Sequence, residues 1–114
     1  IERFGQYLEF VARIDSPWVG LNFDVGHAYC VGEEPQDWAP RMAAHTRHYH
    51  LEDIAATREH KHLIPGRGAI DFPATLQAIR DTGYDGWLTV ELYTCIDDPD
   101  GAARESKEFL AGLV

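Results

Sequence analysis

The sequence predicts an α/β fold in which parallel strands alternate with helices, and three observations support this prediction. Segments with apolar residues at helical spacing alternate with short runs rich in Val, Leu, Tyr and Thr. The order is helix, strand, helix, strand, helix, strand, helix, which is typical of parallel strands joined by crossover helices. Polar residues able to bind metal also stand at or near the carboxyl end of each predicted strand.

Caps and helix-breaking residues mark most boundaries of the predicted elements. Ser16-Pro17 ends the first helix, because the residue before proline is pushed away from helical geometry. Asp71 can cap the third helix, and Gly83 ends it. The predicted elements are, in order, a helix over 1–14, a strand over 19–24 with a turn at Gly26, a loop over 28–34, a helix over 35–44, a strand over 45–51, a polar loop over 53–70, a helix after Asp71, a strand over 87–92 and a helix from Asp98.

The three predicted strands are too few to close a parallel barrel. A (β/α)8 barrel usually takes about 250 residues, and this chain has 114. The chain is therefore either the C-terminal part of such a barrel or a small open α/β domain that pairs with another chain. We favour the first, with residues 1–114 as a single unit.

Composition excludes several classes of partner. The formal net charge is −9, with 10 basic and 19 acidic residues, so nucleic acid and anionic membranes are poor partners. No apolar run approaches the roughly 20 residues that span a bilayer. Cys30 and Cys95 fit neither a disulfide scaffold nor a zinc motif, which favours reduced thiols in a cytoplasmic protein.

The strand ends form a predicted site. Asp24 ends the first strand, His50 lies near the end of the second and Glu91 lies near the end of the third. In parallel α/β folds these ends meet at one rim, so the three side chains should lie together. A mixed oxygen and nitrogen set suits Mn²⁺, Mg²⁺, Co²⁺ or Zn²⁺.

The long polar loop carries further candidates. Arg58, His60 and His62 could contact a substrate or could equally be exposed loop residues. Gly66-Arg67-Gly68 could present backbone N–H groups and a guanidinium to an anionic substrate, or could be an ordinary tight loop.

Several motifs resemble one known family. They occur in that family's order and are Asp24-Val-Gly-His27, His48-Tyr-His50-Leu-Glu-Asp53, Ile64-Pro-Gly-Arg-Gly-Ala-Ile-Asp-Phe72, Gly83-Tyr-Asp-Gly86 and Val90-Glu91. Together they resemble the xylose isomerase-like TIM barrels, the sugar phosphate isomerase/epimerase superfamily. The resemblance covers nearly the whole chain and specifies no substrate.

The resemblance implies a metal site and a reaction. The family holds one divalent metal with an Asp, a His and two Glu residues, and the matching positions are Asp24, His50 and Glu91. The other Glu lies on an earlier strand that has no counterpart in this chain. The implied reaction is isomerisation or epimerisation of a sugar, sugar phosphate or hydroxy-keto acid through a metal-stabilised enediolate. Glu91 would be one catalytic acid–base group, and His27 matches a residue that contacts substrate in the epimerases. His62, Arg58 and Arg67 are further substrate-binding candidates because of their place in the long polar loop.

Two alternatives remain open. One is an apurinic-site endonuclease-like hydrolase, because His27 and His62 match positions that bind additional metals in endonuclease IV. The acidic composition counts against this alternative. The other is a non-catalytic half-barrel that assembles with another chain or with itself as a homo-oligomer.

Overall fold

A computed structural model describes residues 1–113, which form a three-stranded parallel sheet flanked by helices. Strand order follows the chain, β1-β2-β3, as expected for successive right-handed crossovers. The elements are α1 (Phe4–Ile14), β1 (Leu21–Asp24), α2 (Val25–Cys30), α3 (Pro35–Met42), β2 (Thr46–Leu51), α4 (Phe72–Asp81), β3 (Leu88–Val90) and α5 (Pro99–Ala111).

Helix α2 differs from the sequence-based prediction, which put a turn at Gly26 and a loop over 28–34. The chain instead enters a six-residue helix immediately after Asp24. The side chain of Asp24 accepts a hydrogen bond from the His27 amide and so caps this helix. The helix is too short to show an apolar period, and this is why its sequence resembles a turn.

The other boundaries agree with the prediction to within a few residues. Asp71 accepts a hydrogen bond from the Ala74 amide, and Asp98 accepts one from the Gly101 amide, so both act as helix caps. Each strand is one to three residues shorter than its predicted range. The parallel α/β class is confirmed.

The core lies between the sheet and the helices that cover it. Phe23 of β1 and Tyr49 of β2 are fully buried, with ring centroids 5.2 Å apart. Phe4 of α1 packs on Phe23, and Phe72 and Leu76 of α4 belong to the same buried cluster. This packing holds the carboxyl ends of the three strands in register.

No helix within residues 1–113 combines the length and the apolar character needed to cross a membrane.

Candidate active site

The three predicted metal ligands converge at the carboxyl ends of the strands. Asp24 and His50 are register partners across β1 and β2, and Glu91 follows β3 directly. His50 Nδ1 lies 3.9 Å from Asp24 Oδ2 and 3.6 Å from Glu91 Oε2. Donor atoms of the three residues all lie within 4.8 Å of one another. All three side chains are partly exposed, so a ligand can reach them from solvent.

Asp24 has one oxygen engaged and one directed at the site. Its Oδ1 accepts the His27 amide at 2.8 Å, while Oδ2 faces His50. Burial alone would raise the pKa of Asp24. Hydrogen bonds with Glu52 and the His27 amide, together with the charges of nearby imidazoles, outweigh burial and hold the pKa of Asp24 below its ordinary value. Asp24 is therefore an anion, as a metal ligand must be.

Glu52 is a buried carboxyl group beside this set, and the sequence pattern alone predicts no role for it. It is 0% exposed, and its Oε1 accepts the Gly26 amide at 2.6 Å. Burial and then the neighbouring Asp24 raise the pKa of Glu52 to about 10. As a carboxylate, its Oε2 finds no donor among residues 1–113, whereas a protonated Glu52 can donate a hydrogen bond to the neighbouring Asp24 carboxylate. Strand alternation after His48 and His50 was the signal that placed position 52 on this face.

His62 is buried, at 1% exposure, rather than lying free in a loop. Its Nδ1 is 2.8 Å from the backbone oxygen of Glu91, so Nδ1–H donates to that oxygen. The other ring nitrogen of His62, Nε2, lies 3.0 Å from Nε2 of His60. The ring of His27 meets that of His60 edge-on at 4.3 Å, and one nitrogen from each of the three rings lies within 4.8 Å of the others.

We call His27, His60 and His62 the three-histidine cluster. Burial, and then the charges of His27 and His62, lower the pKa of His60. A neutral imidazole offers a free nitrogen, so the cluster can bind a cation or accept hydrogen bonds from a substrate. Substrate contacts are predicted from sequence for His27 and His62, whereas the role of His60 is left open.

The two arginines predicted to bind substrate contact other parts of the protein. Arg58 lies 4.0 Å above the ring of Tyr29, donates to the Tyr29 backbone oxygen and pairs with Glu34 at 2.5 Å. Arg67 pairs with Glu105 on the surface at 2.5 and 2.6 Å. Arg58 thus ties the long loop to the segment after α2. A role in substrate binding stays a prediction for both.

Asp53 organises the loop that carries the histidines. Its carboxylate is buried and accepts four backbone N–H groups at 2.8–3.1 Å, from Ile54, Gly66, Gly68 and Ile70. Its own backbone forms a bridge with Leu63, next to His62. A single buried anion therefore fixes the loop against the end of β2.

A cavity of about 350 Å³ opens beside the site, lined by Asp24, His27 and His60 together with the start of α1. This volume falls in the range of small-molecule pockets.

Comparisons with known proteins identify relatives of this chain. The model of the family described as xylose isomerase-like TIM barrel matches residues 1–113. The inosose dehydratase of Lacticaseibacillus casei is 38% identical over 93 residues, which cover 68% of this chain and 31% of that relative. The chain thus spans about a third of the length of such curated relatives.

Two solved structures superpose on nearly the whole chain. A xylose isomerase domain protein from Alicyclobacillus acidocaldarius matches with a TM-score of 0.81 and 28% identity, over 99% of this chain and 43% of its own. A D-tagatose 3-epimerase-like protein matches with a TM-score of 0.80 and 31% identity, over 94% of this chain and 39% of its own.

Proposed function

The chain belongs to the xylose isomerase-like TIM barrel family, and from this premise we propose that it carries part of the active site of a divalent-metal-dependent isomerase or epimerase. The proposed substrate is a sugar, a sugar phosphate or a hydroxy-keto acid. The observation that supports this proposal most is the meeting of Asp24, His50 and Glu91 at three parallel strand ends.

The residues present fit a divalent cation. Two carboxylates and one imidazole within 4.8 Å of one another are ligands that Mn²⁺, Mg²⁺, Co²⁺ and Zn²⁺ accept. Asp24, His50 and Glu91 would hold the ion. The chemistry that such an ion supplies is polarisation of a substrate carbonyl and the neighbouring hydroxyl, which makes the adjacent carbon-bound proton more acidic.

Glu91 is the proposed base for that proton. Its side chain is 45% exposed, so a substrate can reach it. Oε2 faces His50, and this leaves Oε1 able to take a proton from carbon. Isomerisation, epimerisation and dehydration of a hydroxy ketone can all begin with this transfer, in agreement with the names of the relatives.

The three-histidine cluster is proposed to orient the substrate. Neutral imidazoles can hydrogen-bond to hydroxyl groups as donors or acceptors, which suits a polyhydroxylated substrate. His27 and His60 line the cavity beside Asp24, and His62 is buried behind them. We propose that the chain is the C-terminal half of a barrel, in which an earlier strand adds a second Glu.

The test is a calorimetric titration of the chain with Mn²⁺ and with Zn²⁺, repeated on Glu91→Gln. Weaker binding by the variant would support a shared ion at Asp24, His50 and Glu91. Equal binding by both proteins, or no binding by either, would reject the assignment. Glu105→Gln is the matched control, because Glu105 lies in a surface ion pair with Arg67.

One observation favours a second candidate, an apurinic-site endonuclease-like hydrolase. The three-histidine cluster adds three possible ligands beside the first set, and that chemistry uses several metals. The net charge of −9 opposes binding to a phosphate backbone. Cleavage of an abasic-site duplex with Zn²⁺ present would support this candidate, and an intact duplex would reject it.

The sheet edges favour a third candidate, a non-catalytic assembly module. In the described sheet β1 and β3 each have one unpaired edge, and Trp87 beside β3 is 84% exposed. Size-exclusion chromatography distinguishes this candidate. A dimer whose stability is unchanged by Glu91→Gln would support it, whereas a monomer would oppose it.

A further inference from the structure

The segment that follows β3 is hydrogen-bonded to the loop that carries His60 and His62. It turns at Tyr93 and Thr94. Thr94 Oγ1 donates to the backbone oxygen of His62 at 2.6 Å, and Tyr93 Oη donates to the backbone oxygen of His60 at 3.1 Å. These bonds join residues 32 and 33 positions apart. The two side chains therefore fix the histidine-bearing part of the loop against the end of β3.

A third hydrogen bond runs in the opposite direction, from the loop to the end of β3. Nδ1–H of His62 donates to the backbone oxygen of Glu91 at 2.8 Å, and the ring of Tyr93 packs on the His62 ring with centroids 4.4 Å apart. Nδ1 of His62 also lies 3.9 Å from Oε2 of Glu91. His62 is thus held at its backbone by Thr94 and at its ring by Glu91 and Tyr93, so these contacts set the distance between its ring and the Glu91 carboxylate.

Thr94 makes the bond whose loss would disturb this arrangement most. Thr94 is partly buried, whereas Tyr93 is 54% exposed. A carbonyl group that loses its donor in partly buried surroundings has limited access to water, so the loss is costly. Without the Thr94 hydroxyl, the backbone of His62 would move to find another donor. The His62 ring would move with it, and so would His60, whose Nε2 lies 3.0 Å from Nε2 of His62.

We propose that Thr94 is a positioning residue that holds the His62 ring at a fixed distance from Glu91, and that Tyr93 assists it. The inference rests on the proposed function, in which Glu91 accepts a proton from carbon and the three-histidine cluster orients the substrate. Thr94 acts through His62 and has no contact with the reacting atoms in this proposal. The spacing between a base and the groups that orient its substrate strongly affects the rate of proton transfer.

The competing explanation is that the Thr94 hydroxyl only stabilises the turn. Thr94→Val removes the hydroxyl group and keeps the shape of the side chain, whereas Thr94→Ser keeps the hydroxyl group. A purely structural role would lower the urea midpoint of Thr94→Val and leave the His62 ring and the rate at saturating substrate unchanged. Thr57→Val is the control for the same substitution at an exposed position of the loop.

The first readout is the Nδ1–H signal of His62 in protein labelled with ¹⁵N-histidine, recorded without metal or substrate. We expect this proton to be protected in wild type, Thr94→Ser and Thr57→Val. In Thr94→Val it should exchange with solvent about tenfold faster or more. Unchanged exchange in a folded Thr94→Val, or equal acceleration in Thr94→Ser, would overturn the proposal.

The second readout is exchange of the carbon-bound proton of a ketose with deuterium oxide in the presence of Mn²⁺. We expect the rate at saturating ketose to fall about tenfold in Thr94→Val and to recover in Thr94→Ser. Mn²⁺ affinity should stay unchanged, because Asp24, His50 and Glu91 are intact. A wild-type rate in Thr94→Val would overturn the proposal. If wild type itself catalyses no exchange, the proposed function fails, and the His62 signal still decides whether Thr94 positions that ring.

Tyr93→Phe covers the case in which Thr94→Val does not fold. This substitution keeps the ring on His62 and removes a hydroxyl group at an exposed position. We expect faster exchange of the His62 Nδ1–H proton, by a smaller factor than in Thr94→Val. If Thr94→Val does not fold, wild-type exchange in Tyr93→Phe would overturn the proposal.

Discussion

The amide of Gly26 donates a 2.6 Å hydrogen bond to Oε1 of Glu52, which lies 26 residues further along the chain. This bond joins the first turn of α2 to the end of β2. A β-carbon at position 26 would lie 2.0 Å from that oxygen. Glycine is therefore required at this position by the closeness of the buried carboxyl group, and Asp24 at the start of α2 depends on the same contact.

Gly26→Ala should destabilise the protein by about 3 kcal/mol, because the added methyl group collides with a side chain that has no room to move. Its Mn²⁺ affinity should fall as well, since the collision displaces the turn that Asp24 caps. Urea unfolding and calorimetry measure the two effects.

Gly5→Ala is the matched control for that substitution. Gly5 lies in α1, and a β-carbon there would meet nothing within 4 Å. Alanine at this helical position should stabilise by about 0.5–1 kcal/mol. Equal unfolding midpoints for Gly26→Ala and wild type would contradict the described contact.

Asp53→Asn should destabilise by about 2–3 kcal/mol, as expected for hydrogen bonds to a charged acceptor in a buried site. Oδ2 of Asp53 accepts the amides of Gly66 and Gly68, and an NH₂ group in its place would face two donors. Urea unfolding measures the loss. The exposed control Asp97→Asn should change stability by less than about 0.5 kcal/mol, and a similar small change in Asp53→Asn would rule out its role in holding the loop.

Much of the fold could be predicted from the sequence because its signals are local. Asp71 and Asp98 stand where cap residues are expected, and the alternation of helical and strand patterns predicts parallel pairing. Asp24 ends its strand as expected. The meeting of Asp24, His50 and Glu91 could also be predicted, because it follows from the parallel topology alone.

The features that could not be predicted depend on distant contacts. Helix α2 forms because Asp24 caps it and Glu52 holds the Gly26 amide, and neither contact is visible in six residues of sequence. His62 lies in a polar stretch and is nevertheless buried, because the backbone oxygen of Glu91 binds its ring. The pairing of Arg58 with Glu34 likewise joins segments 24 residues apart.

Glu91→Gln should abolish proton transfer and leave the fold intact, because the side chain keeps its shape, loses its charge and is not fully buried. The measurement is exchange of the carbon-bound proton of ketoses and inososes with deuterium oxide, followed by NMR with Mn²⁺ present. Exchange should occur with wild type and be lost in the variant. Equal exchange by both proteins would show that Glu91 is not the base. No exchange by either protein would reject proton transfer by this chain alone.

The number of metal ions per chain distinguishes the isomerase proposal from the hydrolase. An isomerase site should bind one Mn²⁺ per chain, lost in Asp24→Asn and kept in His60→Ala, because His60 lies outside the Asp24–His50–Glu91 set. A hydrolase should bind a further Zn²⁺ that is lost in His60→Ala, because the ring of His60 contacts those of both His27 and His62. Elemental analysis of dialysed protein, with each variant checked by circular dichroism, gives the stoichiometry. A second ion that depends on His60 would favour the hydrolase, because it would show that the three imidazoles bind metal rather than substrate.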